Sequence, residues 1–348
     1  MTKSAAGRFF EDFRVGEDIV HATPRTVNAG DAALYLALYG SRFALQSSDE
    51  FARSMGLPRA PLDDWLVFHI VFGKSVPDIS FNAVANLGYA EGRFLAPVFP
   101  GDTLTASSRV IGLKETSSRK TGIVYVRTTG RNQRGEEVVS YARWVMVAKR
   151  SEASPAPEPT LPKLAAKVEV RDLALPHARF AEFDFAASGG CNRFGDYAVG
   201  EKIDHGAGAT IEEAEHQLAT RLYQNTARVH FDARAQGDTK FGKRLVYGGH
   251  IISVARALSF NGLENAVRVV ALNGGQHVAP AFAGDTIYAW SEVLEMAEAP
   301  GQADLGLLRL RTVGLKNRAA TGFPGQSLDG SYDPAVILDL DTWVALPR

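Results

Sequence analysis

The chain has 348 residues, of which 45% are hydrophobic and 22% charged, the balance of a folded globular protein and enough length for two domains with separate cores. Its 38 basic and 39 acidic residues leave a formal charge of −1, which excludes the global basic field that attracts nucleic acid or anionic membranes, so any anionic ligand must be held by a local patch. The single cysteine, Cys191, excludes an internal disulfide framework and any multi-cysteine metal site, and fits a reducing, cytoplasmic setting.

In chain order, MTKSAAGRFFEDF holds no apolar run of signal-peptide length. WLVFHIVFG (65–73) is too short to span a bilayer, so neither export nor membrane embedding is expected. FEDFRVGEDIVH (10–21) predicts an opening strand, and NAGDAALYLALYG and DDWLVFHIVFG carry apolar residues at helical spacing. Alternating, β-branched runs follow in TLTASSRVIGL, TGIVYVRTTGRN and VVSYARWVMVAK. Four prolines in KRSEASPAPEPTLPKL (149–164) predict an extended, solvated linker.

The same order then begins again. FGDYAVGEKIDH (194–205) repeats 10–21 at an offset of 184 residues, returning Phe10 as Phe194, Gly16 as Gly200 and His21 as His205. VAPAFAGDTI (278–287) repeats LAPVFPGDTL (95–104) at an offset of 183. Two helical stretches, EEAEHQLATRLYQ and GGHIISVARALSF, precede three strand runs, TIYAWSEVLEM, LGLLRLRTVGLKN and AVILDLDTWVAL. The expected organisation is a first unit over 1–150, a linker over 151–164 and a second unit over 165–348. Each is an α+β unit with an antiparallel sheet wrapped on a helix, and the two pair as a pseudo-dimer.

This order, with GDTL and GDTI following a proline, resembles the hot dog fold of the MaoC-like, R-specific enoyl-CoA hydratases. That family carries Asp-x-Asn-Pro-aliphatic-His. The matching window of the second unit is NTARVH, with Asn225 at the acid position, Arg228 at the proline and His230 at the histidine. In the first unit the window is SRFALQ, where Ser41 and Gln46 supply neither acid nor base. The resemblance implies a double hot dog with one catalytic half, the other reshaped to accommodate the acyl group. It also implies reversible hydration of a CoA thioester with no metal and no cofactor, coenzyme A being part of the substrate.

Adding water to an enoyl thioester needs a base for the water, a proton for the α-carbon and donors for the thioester oxygen. His230 suits the first task, since an imidazole titrating near neutrality can both take and return a proton, and its bland alternative is a satisfied histidine at a helix end. Asn225 cannot accept a proton but can orient water. Asp232, Asp63 and Asp64 are candidate replacement carboxylates and equally good helix caps. Gly248 and Gly249 in VYGGH precede a helix, so their N–H groups form a candidate oxyanion hole; the counterparts in the first unit are read as Asp63 and Asp64. Arg234, Lys240, Lys243 and Arg244 form a candidate clamp for the phosphates of coenzyme A. Arg228, with Arg42 as its rival, is a candidate for a free carboxylate on the acyl group. His21 and His205 recur and so read as fold residues, while His250 and His277 stand in reserve. The alternatives are a hot dog thioesterase and a non-catalytic acyl-CoA-binding protein. Exposed sheet edges leave room for a homodimer of double hot dogs.

Overall fold

Strict alternation builds the sheet: TGIVYVRTTGR buries every second residue along Thr121–Arg131. The structure is a computed structural model that describes residue 3 and residues 6–348. Its strands are β1 (Asp18–Thr26), β2 (Ala83–Phe94), β3 (Thr103–Glu115), β4 (Thr121–Arg131), β5 (Glu137–Ala148), β6 (Lys202–Asp204), β7 (Ala209–Thr210), β8 (Arg268–His277), β9 (Thr286–Glu298), β10 (Leu305–Lys316) and β11 (Val336–Pro347). They form one antiparallel sheet in the order β1-β3-β4-β5-β2-β8-β11-β10-β9-β6, with β7 also on β9. The three long strands predicted in each half are present. The patterning did not single out β2 and β8, the two that join the halves.

The α-helices are α1 (Ala29–Tyr39), α2 (Ala44–Ser47), α3 (Asp49–Ser54), α4 (Asp64–Ser75), α5 (Phe185–Ser188), α6 (Glu213–Leu222), α7 (Arg228–Phe231), α8 (Ala233–Gly237), α9 (Gly248–Leu258) and α10 (Phe260–Leu263). Helices α4 and α9 are the ones the two halves of the sheet wrap. Every residue of α4 is buried, which accounts for its lack of a polar face. Where β2 meets β8, Ala90 pairs with Gly274. At the 183-residue offset Gly274 is the counterpart of Glu91, so a local two-fold axis passes between Ala90 and Glu91.

The recurrent histidines hold equivalent positions. His21 bonds Ser108 Oγ at 2.7 Å and Asp78 at 2.8 Å, while His205 bonds Ser291 Oγ at 2.9 Å and the Asn261 carbonyl at 2.8 Å. Ser108 and Ser291, like Asp78 and Asn261, are 183 residues apart, so each imidazole ties the opening strand of its half to the same two places. The halves also interlock. Ala44, Leu45, Phe51 and Met55 from the first pack with Val267, Leu307 and Trp343 of the second. The proline-rich connection lies on β3, where Thr160 and Leu113 exchange backbone hydrogen bonds of 2.8 Å.

One contact between the halves leaves no room for a side chain. A Cβ on Gly73 of α4 would lie 1.9 Å from the Tyr223 carbonyl oxygen and 3.1 Å from the Asn225 nitrogen. Overpacking of this kind costs about 1–3 kcal/mol where the neighbours can shift. Gly73→Ala is therefore expected to lower thermal stability by at least that amount. Denaturant melts check it, and an unchanged midpoint would show that the two segments are not pressed together.

Candidate active site

Segment 223–231 leaves α6 through a left-handed residue, Gln224, at φ 53°. The turn lays the chain across α4 of the other half. Asn225 is 2% exposed, and its Oδ1 accepts a hydrogen bond from the Ala227 N–H at 3.0 Å, which starts α7. Three further bonds fix His230. Its N–H donates to the Ala227 carbonyl at 3.1 Å, its own carbonyl accepts from Gln217 Nε2, and the Leu245 N–H donates to the Val229 carbonyl at 3.1 Å.

The imidazole of His230 is half-buried, with Nδ1 2.9 Å from the Leu245 carbonyl. A carbonyl can only accept, so Nδ1 carries the hydrogen and Nε2 the lone pair. Burial brings the pKa down to about 4 against the opposing pull of the Leu245 carbonyl, leaving the ring neutral at pH 7. The ring of Tyr247 lies 5.6 Å away at 64°. His277, near enough that charge on His230 opposes charge on it, is likewise depressed to about 4, chiefly by burial.

Tyr247 is the N-cap of α9, and Gly248 and Gly249 are its first two residues. These N–H groups have no acceptor within the helix, while the His250 N–H already donates to the Tyr247 carbonyl at 2.9 Å. Both glycines are also sterically required. A Cβ on Gly248 would come within 2.4 Å of the His277 ring, and one on Gly249 within 2.3 Å of the Tyr247 ring and 2.6 Å of His69 Nδ1. Close approach and free amides thus come from the same residues.

The helix starts correct one pairing. Asp63 caps α4 as Tyr247 caps α9, so Gly248 corresponds to Asp64 and Gly249 to Trp65, rather than to Asp63 and Asp64. Both aspartates are engaged away from His230. Asp63 accepts from the Trp65 N–H at 2.9 Å and, with burial raising it to about 6, sits 3.4 Å from the Tyr35 hydroxyl. Asp64 pairs with Arg268 at 2.8 Å and accepts from the Val269 N–H at 2.9 Å. Asp232 caps α8 through the Ala235 N–H at 2.9 Å.

Two clefts occupy equivalent places about the local two-fold axis. The first, about 500 Å³, is lined by Thr23, Gly73, Lys74, Pro77, Asn225, Thr226 and Phe231 among others. The second, about 180 Å³, is lined by Gly40, Arg42, Glu215, His250, Leu258 and Asn261 among others. Arg42 lies in this smaller cleft, donating to Asn261 Oδ1 at 2.9 Å with its guanidinium 4.2 Å over Phe260. It is therefore engaged on the far side of the molecule's local two-fold and is not a partner of His230. Arg228 is exposed, its guanidinium 4.7 Å over Phe81, so it does not sit in a closed pocket. Arg244 is committed to Glu213 and the Phe231 carbonyl, whereas Arg234, Lys240 and Lys243 are exposed, the two lysines lying over Phe241 and Phe282. Lys74, whose Nζ donates to the Thr23 carbonyl at 2.5 Å and whose pKa burial brings down to about 8, is a cation of the larger cleft that sequence reasoning missed.

The reserve histidines separate. His277 joins the His230 group, with Nε2 3.2 Å from the Tyr89 hydroxyl. His250 belongs to the smaller cleft, with Nδ1 3.0 Å from the Tyr39 hydroxyl. Tyr247 beside His230, Tyr89 bonded to His277 and His69 against Gly249 are the buried rings of this group and were also missed. The one available signal was a tyrosine directly before paired glycines at a predicted helix start. Among the described residues no cluster of histidine, cysteine and acidic side chains is arranged to hold a metal.

A family model described as mesaconyl-CoA hydratase matches residues 2–327. The chain is 61% identical to a mesaconyl-CoA hydratase of Cereibacter sphaeroides over 99% of this chain and 100% of that protein. It is 59% identical to a β-methylmalyl-CoA dehydratase of Chloroflexus aurantiacus over 99% of each. A crystal structure of a MaoC domain protein dehydratase from Chloroflexus aurantiacus superposes with a TM-score of 0.98 at 58% identity, covering 100% of this chain and 99% of that one. A Mycobacterium tuberculosis protein with a double hotdog fold gives 0.77 at 24% identity over 98% and 99%, a likeness of fold alone.

Burial sets the acid stability. His205, His230 and His277 sit at about 4 and His250 at about 3 in the folded chain, against about 6.5 when unfolded. Between those limits the unfolded chain binds more protons, so the stability present above about pH 6.5 is lost as the pH falls toward 4. Melting temperatures measured from about pH 7.5 down to about pH 5 should fall steadily. A flat profile would mean these rings titrate normally.

Proposed function

The chain belongs to the mesaconyl-CoA hydratase family, and from that membership we propose that it catalyses the reversible hydration of mesaconyl-CoA to β-methylmalyl-CoA at His230 and the N-terminus of α9. The observation that carries the reading is the Nδ1–H bond from His230 to the Leu245 carbonyl, which leaves Nε2 as a base beside the N-terminus of α9. His230 Nε2 takes a proton from water as the oxygen adds to the β-carbon. The electron pair of the double bond moves into the thioester, whose oxygen is received by the Gly248 and Gly249 N–H groups. The imidazolium then returns the proton to the α-carbon. A low pKa weakens the ring as a base but makes its conjugate acid a ready donor, which favours this return. Asn225, with Oδ1 held by Ala227, offers its amide N–H groups to the nucleophilic water.

Arg234, Lys240 and Lys243 are proposed to meet the phosphates of coenzyme A, and the reaction is proposed to run without metal or redox cofactor. The setting is proposed to be cytoplasmic, with association of two chains as a homodimer to be read from solution mass. No helix among the described residues is long and apolar enough to cross a membrane. Release of free CoA thiol would instead mark a thioesterase, and binding without turnover a non-catalytic acyl-CoA-binding protein.

Incubation with mesaconyl-CoA should consume the enoyl-thioester absorbance without releasing thiol. His230→Ala is expected to lower kcat/KM by about 10²-fold or more while the circular dichroism spectrum is retained. Wild-type turnover in that variant would discard the assignment. Asn225→Asp keeps the acceptor for Ala227 but removes the amide donor. A loss of roughly 10-fold is expected, since a neutral hydrogen bond to water contributes about 1 kcal/mol. An increase in rate would instead show that a second base improves the site.

A further inference from the structure

Arg143 on β5 is 0% exposed and has no carboxylate within ion-pair distance among the described residues. Its Nη2 donates to Ser75 Oγ at 2.9 Å and Ser80 Oγ at 3.2 Å, its Nη1 reaches Asn86 Oδ1 at 3.4 Å, and its guanidinium lies 4.2 Å from the Phe72 ring centroid. Its Nε has no partner. The other deeply placed arginines differ: Arg268 is bonded to Asp64, and Arg256 feels the charge of Asp63 and Asp64. A buried cation without an anion is costly, because nothing replaces the water it has lost.

The cost is concentrated here. The hydroxyls of Tyr141 and Tyr247, both buried, have no hydrogen-bond partner, and neither has Asn86 Nδ2. Tyr141, Tyr89 and Tyr247 are the groups whose charge the guanidinium would feel. Unpaired donors gathered at one point are the mark of a site that a ligand completes. Ser75 and Ser80 bracket Pro77, which with Lys74 lines the larger cleft, and Tyr247 is the ring against His230. In the second half the position of Arg143 is held by Thr342, each standing just before the tryptophan of its strand, Trp144 or Trp343. The cation is thus confined to one of the two halves.

We propose that Arg143, with the hydroxyls of Tyr247 and Tyr141, is the receptor for a free carboxylate on the acyl group of the substrate. The inference rests on the reading of the chain as an acyl-CoA enzyme and moves the carboxylate site from the exposed Arg228 and the distant Arg42 to the core of the first half. The planar guanidinium offers Nε–H to one carboxylate oxygen while the phenols donate to the other, satisfying all the unpaired donors except the Asn86 amide.

The test measures binding rather than turnover, so it stands apart from the hydratase reading. Calorimetric Kd values for succinyl-CoA and butyryl-CoA, which share an acyl length and do not react, should differ by about 10²-fold in favour of succinyl-CoA in the wild-type chain. Arg143→Met should abolish that preference. Tyr247→Phe, which removes a hydroxyl that makes no bond, should reduce the preference by about 5–10-fold, and serves if the arginine variant does not fold. Equal affinities in the wild type, or parallel loss of both ligands in the variants, would overturn the receptor. Failure of mesaconyl-CoA to turn over while the preference persists would overturn the hydratase reading alone.

Discussion

The candidate site depends on the approach of the segment after α6 to helix α4, backbone against backbone, at Gly73. With a side chain there, the Tyr223 carbonyl would have to move away, and Asn225 and His230 would move with it. The pairing of β2 with β8 sets the two halves at the distance where this contact forms, and the Gln217 and Leu245 bonds then orient the imidazole. The His230 imidazole is therefore placed by the second half, while His69, packed against Gly249, comes from the first.

The same geometry exists twice, with clefts of unequal size, about 500 Å³ and about 180 Å³. In the smaller cleft Arg42 bonds Asn261 and lies over Phe260, and Leu258 stands where the larger cleft has Lys74. The first half's counterpart segment packs Ala44, Leu45, Phe51 and Met55 against the second half. Its value is now in packing. The second half's segment stays partly open, with Val229, His230 and Phe231 all half-buried.

Much of this was legible in the residues. The repeat, the helices and the long strands follow from patterns that local geometry imposes, and the resemblance around NTARVH located His230. What the residues concealed was set by contact. Strands β2 and β8 escaped because Gly88 and Gly92 are chosen for neighbours: a Cβ on Gly88 would meet the Trp144 ring at 2.3 Å, and one on Gly92 would meet Leu272 at 2.8 Å. Arg143 sits in an alternating strand like any other, and nothing in VVSYARWVMVAK shows that its guanidinium points into a core lacking an acid. Arg42 and Arg228 were attractive because charge beside a motif is visible, whereas solvent exposure is not. The slip between the aspartates and the glycines amounts to reading an offset of 185 where the helix starts give 184, because neither DD nor GG fixes its own register without the caps that Asp63 and Tyr247 supply.

The join between β2 and β8 is covalently tethered through the stretch that crosses β3. In a dimer of separate hot dog chains, a composite site dissociates on dilution, and every substitution appears in both clefts at once. Here the effective concentration of one half for the other is set by a connection of fixed length, so the site survives at any protein concentration. A bulky or charged residue that would ruin a symmetric enzyme need only be tolerated once. Thr342 opposite Arg143 and Leu258 opposite Lys74 are differences of that kind, available only to a molecule whose two halves have separate sequences within one chain.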